Sequence, residues 1–524
     1  MKNRPVVRDF LISLSLATLV LIGEWQYLLG GSYSSPPIAA HFLAVMLCTF
    51  ILAAVFSGAM WLVRRSGETI HLAAKWLFLQ TITFSLGLFL ILSFPFQFAG
   101  LESAPALSAA FIKVVLFCAV IVILPPLLLT RLVFFRWVLT LTMLCSPCVA
   151  YLFARAVWQM LHPGQPAVVQ GSLERLSTSG PRVLLLVFDE MSEYVAFAKR
   201  PAGLEMPAFD RLRRQSVTAN AAFPPGRATI ISMPALLAGR PMKEVAPSSR
   251  DELVVRYPGS KLFQSFTGTP TVFTDVRALG FGTAMIGWYH PYCSLLQDLD
   301  FCAHTHADMV DQNIERGGVF AKSLDVIADL PVLRSTDWTL RRKEQAICSS
   351  FESESAFLFQ TTKAALPKFR SGLMIVHLPI PHPPAKCGEG LYFRNLANAD
   401  SHLQEIRSVM EASRTWEGTT VVVTSDHYWR THAWQRDWRS LQWTPEELNY
   451  IDADKDHRIP FIAKLPDQQS SLAYTNEFNT LLLSKLVREC LTEKIRTPED
   501  LRAWLDMHRT DVAPHAYADT VNPE

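Results

Sequence analysis

The 524-residue sequence has almost no net charge: 49 Lys and Arg against 47 Asp and Glu leave +2 at pH 7. That balance gives no basic footprint, so nucleic acid is not expected as a partner. No internal repeat and no low-complexity tract is present, which excludes a solenoid or tandem array. Cysteine is scarce, nine residues in all, and the odd number leaves at least one thiol unpaired. Cys48, Cys118, Cys145 and Cys148 lie in apolar runs, whereas Cys293, Cys302, Cys348, Cys387 and Cys490 lie outside them. Cys293 and Cys302 are near enough in sequence to close a small loop, although spacing alone does not fix a pairing. The first apolar run lacks a small-residue cleavage site and is followed at once by a second. It therefore reads as a retained span, not a cleaved signal peptide.

What the sequence has in quantity is hydrophobic residues, 50% of the total, gathered at the front. Five long apolar runs lie near 9–30, 38–63, 73–98, 106–130 and 132–157. Each is long enough to cross a hydrocarbon core, which takes roughly 20 helical residues. Residues 1–158 are expected to form a five-helix transmembrane domain. Lys2, Arg4 and Arg8 precede the first run, Arg64, Arg65 and Lys75 join the second to the third, and Arg131 and Arg136 follow the fourth. Gly31–Pro37 and Gln97–Pro105 carry no Lys or Arg. Basic loops stay cytoplasmic, so the N-terminus is expected in the cytoplasm and everything after the fifth run outside it. Glu24 and Lys113 fall within runs, close enough to their ends to snorkel.

Beyond a polar linker over 159–180, Val183–Glu190 reads VLLLVFDE, a buried strand that ends in two carboxylates. Thr419–His427 reads TTVVVTSDH, a β-branched strand that ends in Asp426 and His427. Ligands of parallel α/β sheets gather at the carboxyl ends of strands. Neighbouring carboxylates repel unless a cation lies between them. Asp189, Glu190, Asp426 and His427 are therefore candidate ligands, with Glu190 ligating or adjacent. Such a set suits Zn²⁺ or Mn²⁺, with Ca²⁺ or Mg²⁺ as alternatives. The plainer alternative for Asp189 and Glu190 is a solvated acidic turn after a strand.

Further strands are expected at 217–223, 282–288, 373–378 and 460–466, and helices at 207–215, 271–279, 399–413 and 476–491. This alternation predicts an α/β/α domain over 181–510 with a largely parallel sheet covered on both faces. The stretch 223–240, FPPGRATIISMPALLAGR, is a turn feeding a helix whose N–H groups face an anion. The tail, 511–524, carries no periodic signal.

In order, VLLLVFDE, PPGRATIISMPALLAGR, HLPIPHPP, TSDH and IPFIAKLP resemble the sulfatase-like branch of the alkaline phosphatase superfamily. The resemblance covers about 181–485 by motif. The layout is similar to that of phosphoethanolamine transferases and lipoteichoic acid synthases, which have five spans and an extracytoplasmic catalytic domain. It implies that Asp189, Glu190, Asp426 and His427 hold the metal. HLPIPHPP lies on the transferase pattern HLxGSHGP without a gap, which matches His377 and His382 to its histidines and makes His382 the substrate contact. The cysteine of the sulfatase pattern CxPSR falls on Phe223, which cannot attack. The threonine of the transferase pattern TxxSVP falls on Thr229, which implies Thr229 as nucleophile and Arg227 as the oxyanion clamp. The alternative for Thr229 is a helix cap. The chain departs from the family at Ile380, Pro381 and Pro383, and at Tyr428-Trp429-Arg430, where glycine commonly follows the histidine. Bulk there would narrow the site or wall it for a lipid or sugar.

The expected function is a membrane-anchored, metal-dependent sulfatase-like hydrolase or phospho/sulfo-group transferase at the outer face of the inner membrane. Its substrate would be a membrane lipid or envelope glycan ester. The alternative is a catalytically degenerate member of the superfamily that binds an envelope ligand or partner.

Overall fold

The computed structural model describes residues 4–30, 39–65, 140–161, 167–173, 180–249, 251–305, 318–330, 337–383, 391–431, 443–455 and 457–520. The chain divides into two compact units. One comprises Met1–Ser32, Pro37–Gly164 and Ile314–Leu340; the other consists chiefly of Gln165–Asn313 and Arg341–Glu524.

The first unit is helical. The run expected at 9–30 is two helices, Arg4–Val20 and Ile22–Gly30, broken at Leu21. Ala39–Arg65 follows as one helix, and Ser146–Leu161 is another. Among the described residues two stretches, Ala39–Leu62 and Thr140–Leu161, are long and apolar enough to cross a membrane. The runs at 73–98 and 106–130 lie outside the described residues. Trp25, Leu28, Phe42, Val45 and Ala156 make the core of this unit, joined by Val326 from the helix Gly318–Ala328. That last helix falls within the range 181–510 that the sequence reading gave to the α/β/α domain. Glu24 does not snorkel alone: its Oε2 lies 3.2 Å from His41 Nε2.

Among the described residues the second unit has thirteen strands: β1 (Ala167–Gly171), β2 (Arg182–Asp189), β3 (Val217–Phe223), β4 (Glu244–Ser249), β5 (Glu252–Arg256), β6 (Gln264–Ser265), β7 (Thr283–Gly287), β8 (Phe301–Thr305), β9 (Gly372–Pro381), β10 (Thr419–Ser425), β11 (Ile459–Lys464), β12 (Leu472–Tyr474) and β13 (Phe478–Asn479). The main sheet runs β1-β8-β7-β9-β2-β10-β11-β3-β12, with β13 also on β3. Its centre, β8 through β10, is parallel; β1, β11 and β3 join antiparallel. Strands β4 to β6 form a separate antiparallel sheet.

The run VLLLVF is explained by a strand covered on both sides. Val183, Leu185 and Val187 enter one core with Phe461 and Leu486, while Leu184, Leu186 and Phe188 enter the other with Phe209 and Leu403. Each buried side chain contributes roughly 1.5–3 kcal/mol, so the strand is anchored from both faces and its end is held rigidly.

Three boundaries differ from the periodicity. Strand β9 continues past Leu378 to Pro381 through a register shift opposite Phe188 and Asp189, because proline, lacking an N–H, is tolerated at an irregularity. The helix before β10 begins at Leu391, and its Asn395 side chain donates to the Pro381 and His382 carbonyls. The helix expected from 476 begins at Leu483, because Asn479 accepts from Leu481 N and donates to the Pro224 and Pro514 carbonyls, holding the chain extended and then in a short 3₁₀ turn. Helices at Asp337–Ala365, Pro445–Ala453 and Pro498–His508 were not anticipated, although the last two carry capping boxes at Thr444/Glu447 and Thr497/Asp500.

Candidate active site

Strands β9, β2 and β10 are adjacent and parallel, with His377 beside Val187 and Ser425 beside Phe188. Their carboxyl ends therefore deliver His377, Asp189 and Asp426 to one place. Ser425 ties the strand ends together: its hydroxyl donates to the Phe188 carbonyl at 2.7 Å and accepts from Met191 N at 2.9 Å. Ligand atoms of Asp189, His377 and Asp426 all lie within 4.8 Å of one another, and all three residues are buried. His427 Nε2 is 3.4 Å from Asp189 Oδ1 and 3.4 Å from Asp426 Oδ2.

The proton positions follow from the partners. His427 Nδ1 is 2.9 Å from the Tyr428 carbonyl, which can only accept, so Nδ1 carries the hydrogen. Burial holds the His427 pKa well below the usual imidazole value, with Arg430 adding to the effect, so the ring is neutral. Its Nε2 is then a bare lone pair facing two carboxylates. Asp189 Oδ1 and Asp426 Oδ2 have no hydrogen-bond partner among the described residues. Burial raises the pKa of Asp189 well above the usual range, and its neighbours Asp426 and Glu190 push it further. Asp426 is raised as well, first by burial. Lone pairs and carboxylates converging on one dry point are costly unless a cation occupies it. The buried Asp/His cluster thus fits a metal ion. His377 shares in this: burial lowers its pKa to about 3, and its Nδ1 is 3.1 Å from the Tyr292 hydroxyl.

Thr229 reaches the same point from another element. After β3, the turn Pro224-Pro225-Gly226 leads into the helix Thr229–Ala238. Gly226 is required there: a Cβ would lie 2.9 Å from Ser232 Oγ and 3.0 Å from Ser232 N. The cap position is Ala228, extended at φ −151° and ψ 153°, with no side-chain cap. Thr229 is therefore the first helical residue and not the cap. Its Oγ1 lies 3.1 Å from His427 Nε2 and 3.4 Å from Asp189 Oδ2. His290 Nε2 lies 3.1 Å from the Thr229 carbonyl. Ser232, the other hydroxyl of the motif, is buried against Gly226 and makes no hydrogen bond among the described residues.

The remaining expected residues are divided. Glu190 is fully buried at φ 59°, and its Oε1 meets Arg430 Nε at 2.5 Å. His382 lies near Trp288 and stacks on Phe351, with its Nε2 3.4 Å from Arg430 Nη2. Arg227 instead donates from Nη2 to the Ala518 carbonyl at 2.7 Å, in the tail that carried no periodic signal. Tyr517 of that tail stacks on Phe223.

Sequence reasoning did not single out Tyr292 at all, and it read Arg430 only as bulk. Of the three residues after His427, Trp429 is buried and stacked on Tyr392, and Tyr428 stacks on His457. Arg430 alone turns towards Glu190 and His382. Its neighbourhood in sequence, three residues beyond a metal-type histidine, was the available signal.

Among solved structures the chain is similar to Ps i-CgsB in complex with k-i-k-neocarrahexaose (12% identity over 64% of this chain and 78% of that one, TM-score 0.42). It is similar also to the PsFucS1 sulfatase from Pseudoalteromonas sp. (13%, 61% and 70%, 0.40) and to the phosphonate monoester hydrolase of Agrobacterium radiobacter (14%, 58% and 73%, 0.37). No curated protein matches. The family model described as Sulfatase matches residues 181–482, from the first residue before β2 to the helix that comes after β13, and so takes in every residue of the cluster. The chain belongs to the sulfatase family, as a sulfatase-like enzyme.

Proposed function

We propose that this is a membrane-anchored, metal-dependent enzyme that transfers a sulfo or phospho group from a cell-envelope ester, first to Thr229 and then to water or an acceptor hydroxyl. The observation that carries the reading is the Thr229 hydroxyl, seated at a helix start, 3.1 Å from the bare Nε2 of His427 and 3.4 Å from Asp189. Asp189, Asp426 and His427 would hold the cation, with His377 at its edge; a mixed carboxylate and imidazole set favours Zn²⁺ or Mn²⁺. When bound, such an ion supplies positive charge that favours the alkoxide form of a hydroxyl and offsets charge building on the ester oxygens.

Thr229 Oγ forms the new bond to sulfur or phosphorus as the bond to the bridging ester oxygen breaks. The hydroxyl proton leaves on the side of Asp189 Oδ2, and the departing alkoxide takes up one proton. In the second step an oxygen of water or of an acceptor alcohol bonds to sulfur or phosphorus, loses its proton, and Thr229 Oγ departs and regains its own. From Ile231 on, the helix N–H groups donate to backbone carbonyls, the first of them Ala228; the earlier N–H groups of the helix start would be available to the oxyanion. His382 is the contact expected to meet the ester.

The two apolar helices and the alternation of basic and uncharged loops support a membrane anchor with the second unit outside the cytoplasm. The disulfide between Cys293 and Cys302 supports an oxidising compartment. Lipid or glycan esters are then the accessible donors.

The test uses aryl sulfate and aryl phosphate esters, with intact-mass detection of the adduct. Thr229→Ala is expected to abolish turnover and adduct while elemental analysis finds the metal still bound. Parent-level activity in Thr229→Ala would remove it as nucleophile. A parent inactive on both ester classes would favour a degenerate ligand-binding protein. A C-terminal reporter active only in the cytoplasm would overturn the topology.

A further inference from the structure

The geometry points to Arg430, and not Arg227, as the residue that grips the non-bridging oxygens of the ester, held in place by Glu190; this rests on the group-transfer reading above. Arg430 leaves the same strand end as Asp426 and His427, so one segment brings both ligands and a guanidinium to the site. Its Nε is fixed on Glu190 Oε1 at 2.5 Å, and its Nη2 lies 3.4 Å from His382 Nε2. The side chain is 23% exposed, whereas Glu190, Asp189, Asp426 and His427 are at 0%. The guanidinium therefore sits between the buried cluster and solvent, where an incoming ester passes.

A further fact favours Arg430. It touches Glu190 and His382, whereas Arg227 Nη2 donates to the Ala518 carbonyl and its buried Nε has no hydrogen-bond partner among the described residues. A planar guanidinium whose Nε is already pinned by a carboxylate loses little freedom on gripping a tetrahedral oxyanion. Glu190 is the positioning residue in this arrangement. Its left-handed backbone, φ 59°, is supported by the Tyr392 hydroxyl, which donates to the Glu190 carbonyl at 2.7 Å.

The experiment measures binding of inorganic sulfate and inorganic phosphate to the full-length, metal-loaded protein by calorimetry, so it does not require turnover. Parent, Thr229→Ala, Arg430→Gln, Arg430→Lys and Arg227→Gln are compared. Arg430→Gln should weaken the binding of both anions roughly 10- to 100-fold. Arg430→Lys should recover part of the affinity, since charge returns without the fork. Thr229→Ala should bind both anions even though it turns nothing over. That separates a failure of the nucleophile reading from a failure of this one. On active protein, Arg430→Gln should cut kcat/KM more for a phosphate monoester than for the sulfate ester of the same alcohol; a merely structural loss would scale both alike. The assignment is overturned if Arg430→Gln binds both anions as the parent does, if the loss falls on Arg227→Gln instead, or if the folded, metal-loaded parent binds neither anion.

Discussion

Substituting Asp426→Asn should make the metal-free protein more stable and the metal-loaded protein less so. Asp189, Glu190 and Asp426 are all fully buried, and Arg430 is the cation that pairs with one of them. With neutral imidazoles the cluster carries two excess negative charges, which a divalent ion would cancel. Without it, Asp189 and Asp426 repel across a dry space, and both have folded pKa values above 3.8. An acid whose pKa is raised by folding stabilises the fold below its unfolded pKa. That stability is lost as pH climbs through the folded value. Asp426 is pushed from 3.8 up to about 7. At 1.36 kcal/mol per unit, ionising it costs the chelated fold on the order of 4 kcal/mol at pH 8, an upper bound for what asparagine restores. The assay is thermal unfolding in detergent after chelation, at pH 5 and pH 8. The chelated parent should melt several degrees lower at pH 8 than at pH 5, and the chelated variant should depend less on pH and exceed the parent at pH 8. Metal at about 100 times its Kd should add about 2.7 kcal/mol to the parent and far less to the variant. A chelated parent equally stable at both pH values, with no gain in the variant, would refute the view that two carboxylates are held together for a cation.

Gly226→Ala should cost about 1–3 kcal/mol by overpacking, because the new Cβ meets Ile231 Cγ2 and the fixed Ser232 backbone N at 3.0 Å. It should also cut turnover by moving the start of the Thr229 helix; denaturant melts and kcat with an aryl ester check both, and unchanged turnover would show that the turn does not set the position of Thr229. Replacing Cys293 and Cys302 together by serine opens a loop of sequence separation 9. That should lower stability by about 2–3 kcal/mol and reduce turnover, since neighbouring Tyr292 bears on His377. Reductant should reproduce the effect in the parent and not in the variant.

The place of Asp189 and Asp426 at strand ends was legible because two local signals coincide. In β2 and β10 an apolar or β-branched run fixes a buried strand, and the run stops at a charge that burial on both faces would not tolerate one residue earlier. Thr229 was legible for a related reason: the turn Pro224-Pro225-Gly226 marks the helix start locally, and the structure then rules out the cap by placing Ala228 there. The small sheet of β4 to β6 was missed because its short runs are only half buried, and β8 because five residues carry too little pattern. The helix Gly318–Ala328 was not anticipated, and its partner, Ala39–Arg65, is remote in sequence.

Tyr292 and Arg430 were opaque for a different reason, and it bears on how the site is built. Nothing within a few residues of either says what it touches. Tyr292 comes after β7, and only the sheet order β7-β9-β2-β10 sets it over His377; Gly287 makes room for it, since a Cβ there would lie 2.6 Å from the Tyr292 ring. Arg430 meets Glu190 because β10 and β2 are parallel neighbours whose ends turn the same way. The buried cluster thus comes mainly from residues at strand ends, where local sequence suffices to find them. The groups that orient His377 and face the solvent side of Glu190 come from the loops beyond those strand ends, where only the topology decides. Specificity can then change by altering the segments after β7 and β10 while the cluster itself stays in place. The chain already departs from the family pattern in the second of these, at Tyr428-Trp429-Arg430.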